Sequence, residues 1–143
     1  MKRFVVILLA FLLLFSSLTG CKKKEAKAPA GPKYKIGICF DVGGRGDQSF
    51  NDSAYNGLVL LAKQFKSYIK DDPSNVDFAK DLELKYLEPK SGGQDRELLL
   101  RALAEDGYNL IIGVGFLYSD SLAKVAKDSP SIHFGIIDGY IPD

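Results

Sequence analysis

The sequence predicts an α/β fold, a three-layer doubly wound parallel sheet with helices on both faces. From residue 34 onward, short β-rich segments alternate with segments whose apolar residues recur at helical spacing. Between Gly107 and Gly115, residues 110–114 form a continuous apolar run, which is typical of a strand buried on both faces. The resulting order β-α-β-α-β-α-β requires crossover connections and therefore predicts a parallel sheet of four strands.

The first half of this body predicts two strands joined by one helix. Residues 34–40 are β-rich and lead into a glycine-rich loop over residues 41–51. A helical pattern covers residues 52–69 and ends at the turn-forming residues 71–75. Residues 82–87 alternate in polarity, which predicts the second strand. The apolar face of the helix is predicted to comprise Leu58, Leu61, Ala62, Phe65 and Ile69.

The second half repeats this alternation. A helix is predicted to begin at residue 94 or 95 and to end before Gly107, and the buried strand over residues 110–114 follows it. Residues 118–127 predict a third helix, which Pro130 ends. Residues 133–137 predict the fourth strand.

The first twenty residues have the composition of a signal peptide. Lys2 and Arg3 precede an apolar run over residues 4–15. This run is shorter than the about 20 apolar residues that span a bilayer, and it lacks the polar face of a core helix. We therefore expect residues 1–20 to be a targeting segment that lies outside the fold.

The end of this segment resembles the lipobox of bacterial lipoproteins. Its residues are Leu18-Thr19-Gly20-Cys21, and the resemblance implies cleavage before Cys21 and acylation of its thiol; a chance cysteine after the signal is the alternative. Residues 21–35 hold six lysines and two prolines without an apolar period, which predicts a flexible tether beside anionic headgroups. The implied location is a bacterial cell membrane, with the protein lipid-anchored and facing the periplasm or the cell exterior.

Charge is distributed unevenly along the chain. Of the 19 lysines and arginines, two precede residue 4 and six lie between residues 21 and 35, so 11 remain in the body with 17 of the 18 acidic residues. An acidic body argues against nucleic acid as a partner, because nucleic-acid affinity comes from a basic surface. The second cysteine, Cys39, lies within a strand pattern and is predicted to be a small core residue.

The carboxyl ends of the predicted strands bring three loops to one edge of the sheet. In open parallel sheets, ligands bind at this edge, where the strand order reverses. The rule selects residues 41–51 after the first strand, residues 115–118 after the third and Asp138 onward after the fourth. We therefore expect a binding site formed by these loops.

The first of these loops matches no common phosphate or cation motif. Residues 41–52 contain three glycines, three aspartates and Phe50. They lack the lysine of a P-loop and the complete G-x-G-x-x-G of a dinucleotide fingerprint. The carboxylates at positions 41, 47 and 52 do not have EF-hand spacing.

Two interpretations of the loop remain open. Acids and amides beside an aromatic ring suit hydrogen bonding to a neutral polyhydroxyl ligand. In the structural alternative, Phe50 packs against the start of the helix, and Ser49, Asn51 or Asp52 caps it.

The sequence predicts no catalytic site. The sole histidine, His133, stands at the start of a predicted strand and therefore at the edge opposite the loops. There is no His/Cys cluster with metal-ligand spacing. Ser119, Asp120 and Ser121 are better suited to starting a helix than to nucleophilic attack. We expect neither enzymatic activity nor a bound metal or cofactor.

Three segments resemble successive motifs of the basic membrane protein family of bacterial lipoproteins. They are residues 43–57 (GGRGDQSFNDSAYNG), residues 108–116 (YNLIIGVGF) and residues 134–138 (FGIID). They occur in the family's order, and the similarity covers residues 34–143. The resemblance implies a type I periplasmic-binding-protein fold, in which a nucleoside lies between two α/β lobes and passes to the permease and ATPase of an ABC importer.

The resemblance also implies roles for individual residues. Phe50 would stack on the base, while Asp41, Asn51 and Asp138 would hydrogen-bond to the base or the ribose. Gly115 and Phe116 would form the adjoining wall. Asp47 and Ser49 would either contact the ligand or shape the loop.

The resemblance covers one lobe. The family pattern continues into a second lobe, so residues 36–143 are expected to be the N-terminal lobe alone, a half that binds weakly because the opposing wall is missing. The function from another class that fits these observations is a signalling or host-interaction lipoprotein that does not depend on transport. A receiver-like or hydrolase domain of the doubly wound class is disfavoured by the export signal and by the lack of a catalytic set.

Overall fold

The structure is a computed structural model that describes residues 31–72 and 81–141. The predicted signal peptide, the predicted acylation site Cys21 and most of the predicted tether lie outside the described residues, as do residues 73–75 of the predicted helix stop. In the two described ranges, no helix combines the length and the apolar character needed to cross a membrane.

The described residues form five strands and three α-helices, connected in alternation. In chain order they are β1 (Tyr34–Cys39), α1 (Phe50–Phe65), β2 (Tyr68–Ile69), β3 (Leu82–Leu87), α2 (Arg96–Glu105), β4 (Leu110–Val114), a 3-10 turn (Phe116–Tyr118), α3 (Ser119–Asp128) and β5 (His133–Ile137). β3, β4 and β5 have the predicted bounds, and β1 ends one residue before the prediction.

The strands form one parallel sheet in the order β2-β3-β1-β4-β5. β1 lies in the centre and pairs with β3 on one side and with β4 on the other. Because successive strand residues point to opposite faces, Ile38 and Phe40 join the core beneath α1, whereas Cys39 joins the core beneath α2 and α3. The α/β fold predicted from the sequence is therefore confirmed, as is the burial of Cys39.

The first helix differs from its prediction at both ends. It begins at Phe50 rather than at Asp52, and it ends at Phe65 rather than near Ile69. Lys66 adopts a left-handed conformation (φ 48°), and its N–H donates to the carbonyls of Ala62 and Lys63. The chain then turns into β2, which pairs with β3 as a fifth strand. Ile69 fits the helical period but is buried in this strand instead.

The burial of β4 also departs from the prediction. Leu110 and Ile112 are only half-buried, because α1 is the only described helix that packs on their side of the sheet. The uncovered area includes an apolar depression of about 600 Å³ near the starts of the strands. It is lined by apolar side chains that include Ile36, Leu61 and Phe65.

Candidate functional site

Three loops at the carboxyl ends of the strands enclose a cavity of about 180 Å³. Seven of the eight predicted ligand residues line it, and Ser49 does not. The lining comprises Asp41, Val42, Asp47, Phe50, Asn51, Val114, Gly115, Phe116 and Asp138. Ligand pockets for drug-sized molecules usually hold about 300 to 1,000 Å³, so this cavity has the size of part of such a site.

Asp47 organises the loop before α1. One oxygen of its carboxylate accepts the N–H groups of Ser49 (2.9 Å) and Asp52 (3.0 Å), and the other accepts the N–H of Asn51 (3.0 Å). Partial burial disfavours the charged form, but these backbone donors prevail and hold the pKa of Asp47 below its ordinary value. Of the two roles considered for Asp47, these contacts favour shaping the loop.

Asp52 closes the same loop from inside the helix. Its carboxylate accepts the N–H groups of Gly46 (2.8 Å) and Gln48 (2.9 Å). The side chain of Ser49, at the N-cap position, makes no capping hydrogen bond. The helix start is therefore held by Asp47, a residue outside the set of caps expected from the sequence.

Asn51 connects the helix to the end of β1. Its side chain is buried, its Oδ1 accepts the backbone N–H of Asp41 at 2.9 Å, and its Nδ2 donates to the carbonyl of Asp41 at 3.3 Å. The amide thus fixes the backbone from which the Asp41 side chain enters the cavity. This contact favours a positioning role for Asn51.

Asp41 is held by an arginine that the sequence patterns do not single out. Arg96, at the start of α2, donates from Nε to Asp41 Oδ1 at 3.0 Å and also from Nη2 to the same oxygen. The backbone N–H of Val42 donates to that oxygen at 2.7 Å. The other oxygen, Oδ2, lies beside Gly115, where a Cβ would come within 2.9 Å of it. Gly115 has φ +97°, so both its conformation and its space exclude a side chain.

Two aromatic rings border the cavity and face solvent. Phe50 is 52% exposed and Phe116 is 65% exposed. The exposure of Phe50 disfavours the structural alternative in which it packs against the helix start. Asp138 directly follows β5, is exposed, has φ +55° and lines the cavity.

A second arginine anchors the glycine-rich loop to the rest of the fold. The Arg45 guanidinium stacks 3.6 Å from the ring centre of Tyr55 and lies 3.6 Å from the buried carboxylate of Asp72. Its backbone N–H donates to Glu88 at 3.0 Å. These contacts explain the place of Arg45 in the motif, because they tie the loop to α1, to the end of β2 and to the end of β3.

No metal centre is present in the described part of the chain, where no three His, Cys, Asp or Glu side chains converge as metal ligands would. His133 begins β5 and therefore lies at the opposite edge from the cavity, as expected. What converges at the cavity is acidic and aromatic, a combination that binds ligands through hydrogen bonds and stacking.

The comparison with protein families decides the affiliation of the chain. The family model Bmp, described as ABC transporter substrate-binding protein PnrA-like, matches residues 34–143. The chain belongs to the Bmp family. The resemblance to basic membrane proteins drawn from the three sequence motifs is thereby confirmed.

Relatives of this Bmp chain are substantially longer than it is. An uncharacterized lipoprotein of Pyrococcus abyssi is 39% identical over 134 residues, which cover 89% of this chain and 28% of the relative. The ABC transporter nucleoside-binding protein BmpA of Lactococcus lactis is 28% identical over 99% of this chain and 38% of the relative. The chain thus spans about a third of the length of its curated relatives.

A solved structure supports the fold of this Bmp chain. An ABC transporter solute-binding protein of Aeropyrum pernix superposes with a TM-score of 0.60 at 30% identity, over 77% of this chain and 26% of that protein. The described sheet and helices therefore correspond to one lobe of a solute-binding fold. The Lactococcus lactis and Aeropyrum pernix proteins are both named as binding proteins of ABC transporters.

Proposed function

We propose that the chain supplies one half of the binding site of a lipid-anchored solute-binding protein of an ABC importer, and that its ligand is a purine nucleoside. The observation that carries this proposal is the cavity at the carboxyl ends of β1, β4 and β5, where carboxylates meet two exposed aromatic rings in a Bmp chain. Among the relatives, the name of the Lactococcus lactis protein specifies nucleoside binding.

The chemistry of the cavity suits such a ligand. Phe50 offers a face on which a heterocycle stacks, and Phe116 offers a second apolar wall. Asp41 Oδ2 and the Asp138 carboxylate accept hydrogen bonds from ring N–H groups or ribose hydroxyls. Asn51, Asp47 and Gly115 shape the cavity around these groups, and Ser49 contributes through its backbone. At about 180 Å³ the cavity is smaller than a nucleoside requires, so we propose that a second lobe completes it.

Anchoring and transport belong to the same proposal. The lipobox-like residues 18–21 and the lysine-rich tether support attachment through an acylated Cys21, and several relatives are named lipoproteins. The proposed partners are the membrane, the permease and the ATPase of the importer. Incorporation of labelled palmitate that is lost in Cys21→Ser would support the anchor, and equal labelling of both proteins would refute it.

Binding is tested by saturation-transfer difference NMR, which detects small molecules that bind weakly to a large particle such as a protein in a detergent micelle. The whole chain in detergent is titrated with inosine and adenosine. Stacking contributes about 1 to 3 kcal/mol per base, so Phe50→Ala should weaken binding at least about fivefold. Phe65→Ala is the matched control, because Phe65 is 56% exposed on the same helix but lies away from the cavity.

Two results would contradict the proposal. Equal affinities of Phe50→Ala and Phe65→Ala would remove the stacking role. Weak complexes have dissociation constants of about 1 mM. The absence of saturation transfer to either nucleoside at about 10 mM would therefore refute the proposal that the ligand is a nucleoside, and it would favour the signalling or host-interaction alternative.

A further inference from the structure

We propose that Arg96 is the positioning residue of this site: it turns one oxygen of Asp41 toward the ligand and neutralises the carboxylate, so that the site selects neutral hydrogen-bond donors over cations. The inference rests on the proposed function and adds a determinant of ligand charge to it. No sequence motif of the chain includes Arg96.

Contacts on three sides hold the Arg96 guanidinium in place. Besides its two bonds to Asp41, Nη1 donates to the carbonyl of Gly93 at 2.9 Å. A Cβ at Gly93 would lie 2.4 Å from the guanidinium carbon, so only glycine leaves room for it. The guanidinium carbon also lies 5.7 Å from the ring centre of the buried Tyr118, and the side chain is only 15% exposed. An arginine held on three sides has little freedom to follow the ligand.

The contacts of Arg96 make the two carboxylate oxygens of Asp41 unequal as hydrogen-bond acceptors. Oδ1 accepts from Val42 and twice from Arg96, which fills its capacity as an acceptor. Oδ2 accepts no hydrogen bond from any described residue and lies beside Gly115 in the wall of the cavity. Rotation of the carboxylate would break charge-assisted bonds, which are about twice as strong as neutral ones. Oδ2 is therefore fixed as the acceptor that faces the ligand.

The same contact sets the charge that the ligand meets. The Asp41–Arg96 pair is neutral as a whole, so Oδ2 accepts an N–H or O–H without offering a free negative charge. Removal of Arg96 would add one uncompensated negative charge to a cavity whose lining already includes the carboxyl groups of Asp47 and Asp138. A cationic ligand would gain from this change, while a neutral ligand would lose the oriented acceptor.

The test measures ligand charge preference in the whole chain by saturation-transfer difference NMR. The probes are inosine, which is neutral, and 1-methyladenosine, which is cationic at neutral pH. Arg96→Gln should weaken inosine binding at least about tenfold and raise the affinity for 1-methyladenosine relative to inosine by a similar factor. Arg96→Lys retains the charge but not the two-pronged geometry, so it should weaken inosine binding while it keeps the preference for the neutral probe.

Arg101→Gln is the matched control. Arg101 lies on the same helix, pairs with Glu97 and Asp128 at 2.8 Å each, and does not line the cavity. We expect wild-type affinities and preference from this variant. Two results for Arg96→Gln would overturn the proposal. The first is an affinity for inosine equal to that of the wild type. The second is an equal loss of affinity for both probes, because this result is expected of an arginine that only stabilises the fold.

The ligand-free protein separates this proposal from the proposed function. If the wild type binds neither probe, the nucleoside proposal fails, and the Nε–H signal of Arg96 decides the positioning role. Slow exchange of that proton in the wild type and fast exchange in Asp41→Asn would support the fixed pair. Fast exchange in both proteins would refute it.

Discussion

Glu83 is expected to be one of the largest single contributors to the stability of the sheet. Its side chain is 6% exposed within β3, and its carboxylate accepts hydrogen bonds from the hydroxyls of Tyr68 and Tyr108, the latter at 2.8 Å. The ammonium groups of Lys35 and Lys70 lie 3.8 Å away. One carboxylate thereby joins β1, β2, β3 and the segment before β4.

The magnitude follows from the groups that lose this acceptor. Glu83→Ala leaves the hydroxyl of Tyr108, a residue only 1% exposed, without its acceptor, at a cost of about 1 to 3 kcal/mol. The charge-assisted bond from Tyr68, in a half-buried position, adds about 1 kcal/mol. We expect a total loss of about 2 to 4 kcal/mol, a large part of the about 5 to 15 kcal/mol that stabilises a domain.

Urea unfolding followed by circular dichroism measures this loss. Glu97→Ala is the control, because the ion pairs that the structure describes for Glu97, with Arg101 and Lys124, are partly exposed to solvent, and it should change the midpoint little. Burial of Glu83 raises its pKa, but the tyrosine hydroxyls and the two lysines outweigh burial and hold the pKa below its ordinary value of 4.5. The stabilisation is therefore full above pH 4.5 and is lost as the pH falls through the lowered value.

Two results would refute the reasoning on Glu83. A loss below about 1 kcal/mol would show that desolvation of the carboxylate cancels its hydrogen bonds. An acid limb of stability that is the same in the wild type and in Glu83→Ala would show that another group causes the acid sensitivity.

Three further predictions concern the site and the core. Gly115→Ala should destabilise the protein by about 1 to 3 kcal/mol in urea unfolding, because φ +97° and the contact with Asp41 Oδ2 both oppose a Cβ; a change near zero would contradict this. Asp47→Asn should speed amide hydrogen exchange at Ser49, Asn51 and Asp52. In the wild type, the protection of these three amides against exchange should persist above the ordinary pKa of an aspartate and disappear as the pH falls through the lowered pKa of Asp47. Protection that does not decrease at low pH in the wild type would contradict the capping role of Asp47. Burial raises the pKa of the Cys39 thiol, so in a Cys21→Ser background iodoacetamide should label Cys39 only as the protein unfolds, and rapid labelling of the native protein would be the contrary outcome.

The strands were predictable wherever apolar composition and end signals coincided. β3, β4 and β5 have the predicted bounds, since their apolar or alternating patterns stop at Glu88, Gly115 and Asp138. β2 was not predictable, because two residues carry no period and Ile69 continues the helical pattern of α1. The stop is a left-handed Lys66, and lysine gives no sequence signal of the kind that glycine gives at this position.

The location of the candidate cavity was predictable from the sequence, whereas the contacts between its residues were predictable only in part. The rule for parallel sheets selected the three loops, and the cavity unites seven of the eight predicted residues. The partner of Asp41 was not predictable, because Arg96 is 55 residues away and a charged residue at a helix start usually faces solvent. Only the register that places β1 beside β3 and β4 brings the two residues together.

The central position of β1 has a consequence for the time that the chain needs to fold. β1 is the first strand in the sequence, yet its neighbour β4 follows much later, and the contact from Asn109 to Lys35 spans 74 residues. Sheets built from such distant contacts fold slowly, because the chain loses conformational entropy on closing the loops before the contacts form and offset that loss. Slow closure leaves a newly made chain unfolded for longer, which suits the export across a membrane that the proposed function requires.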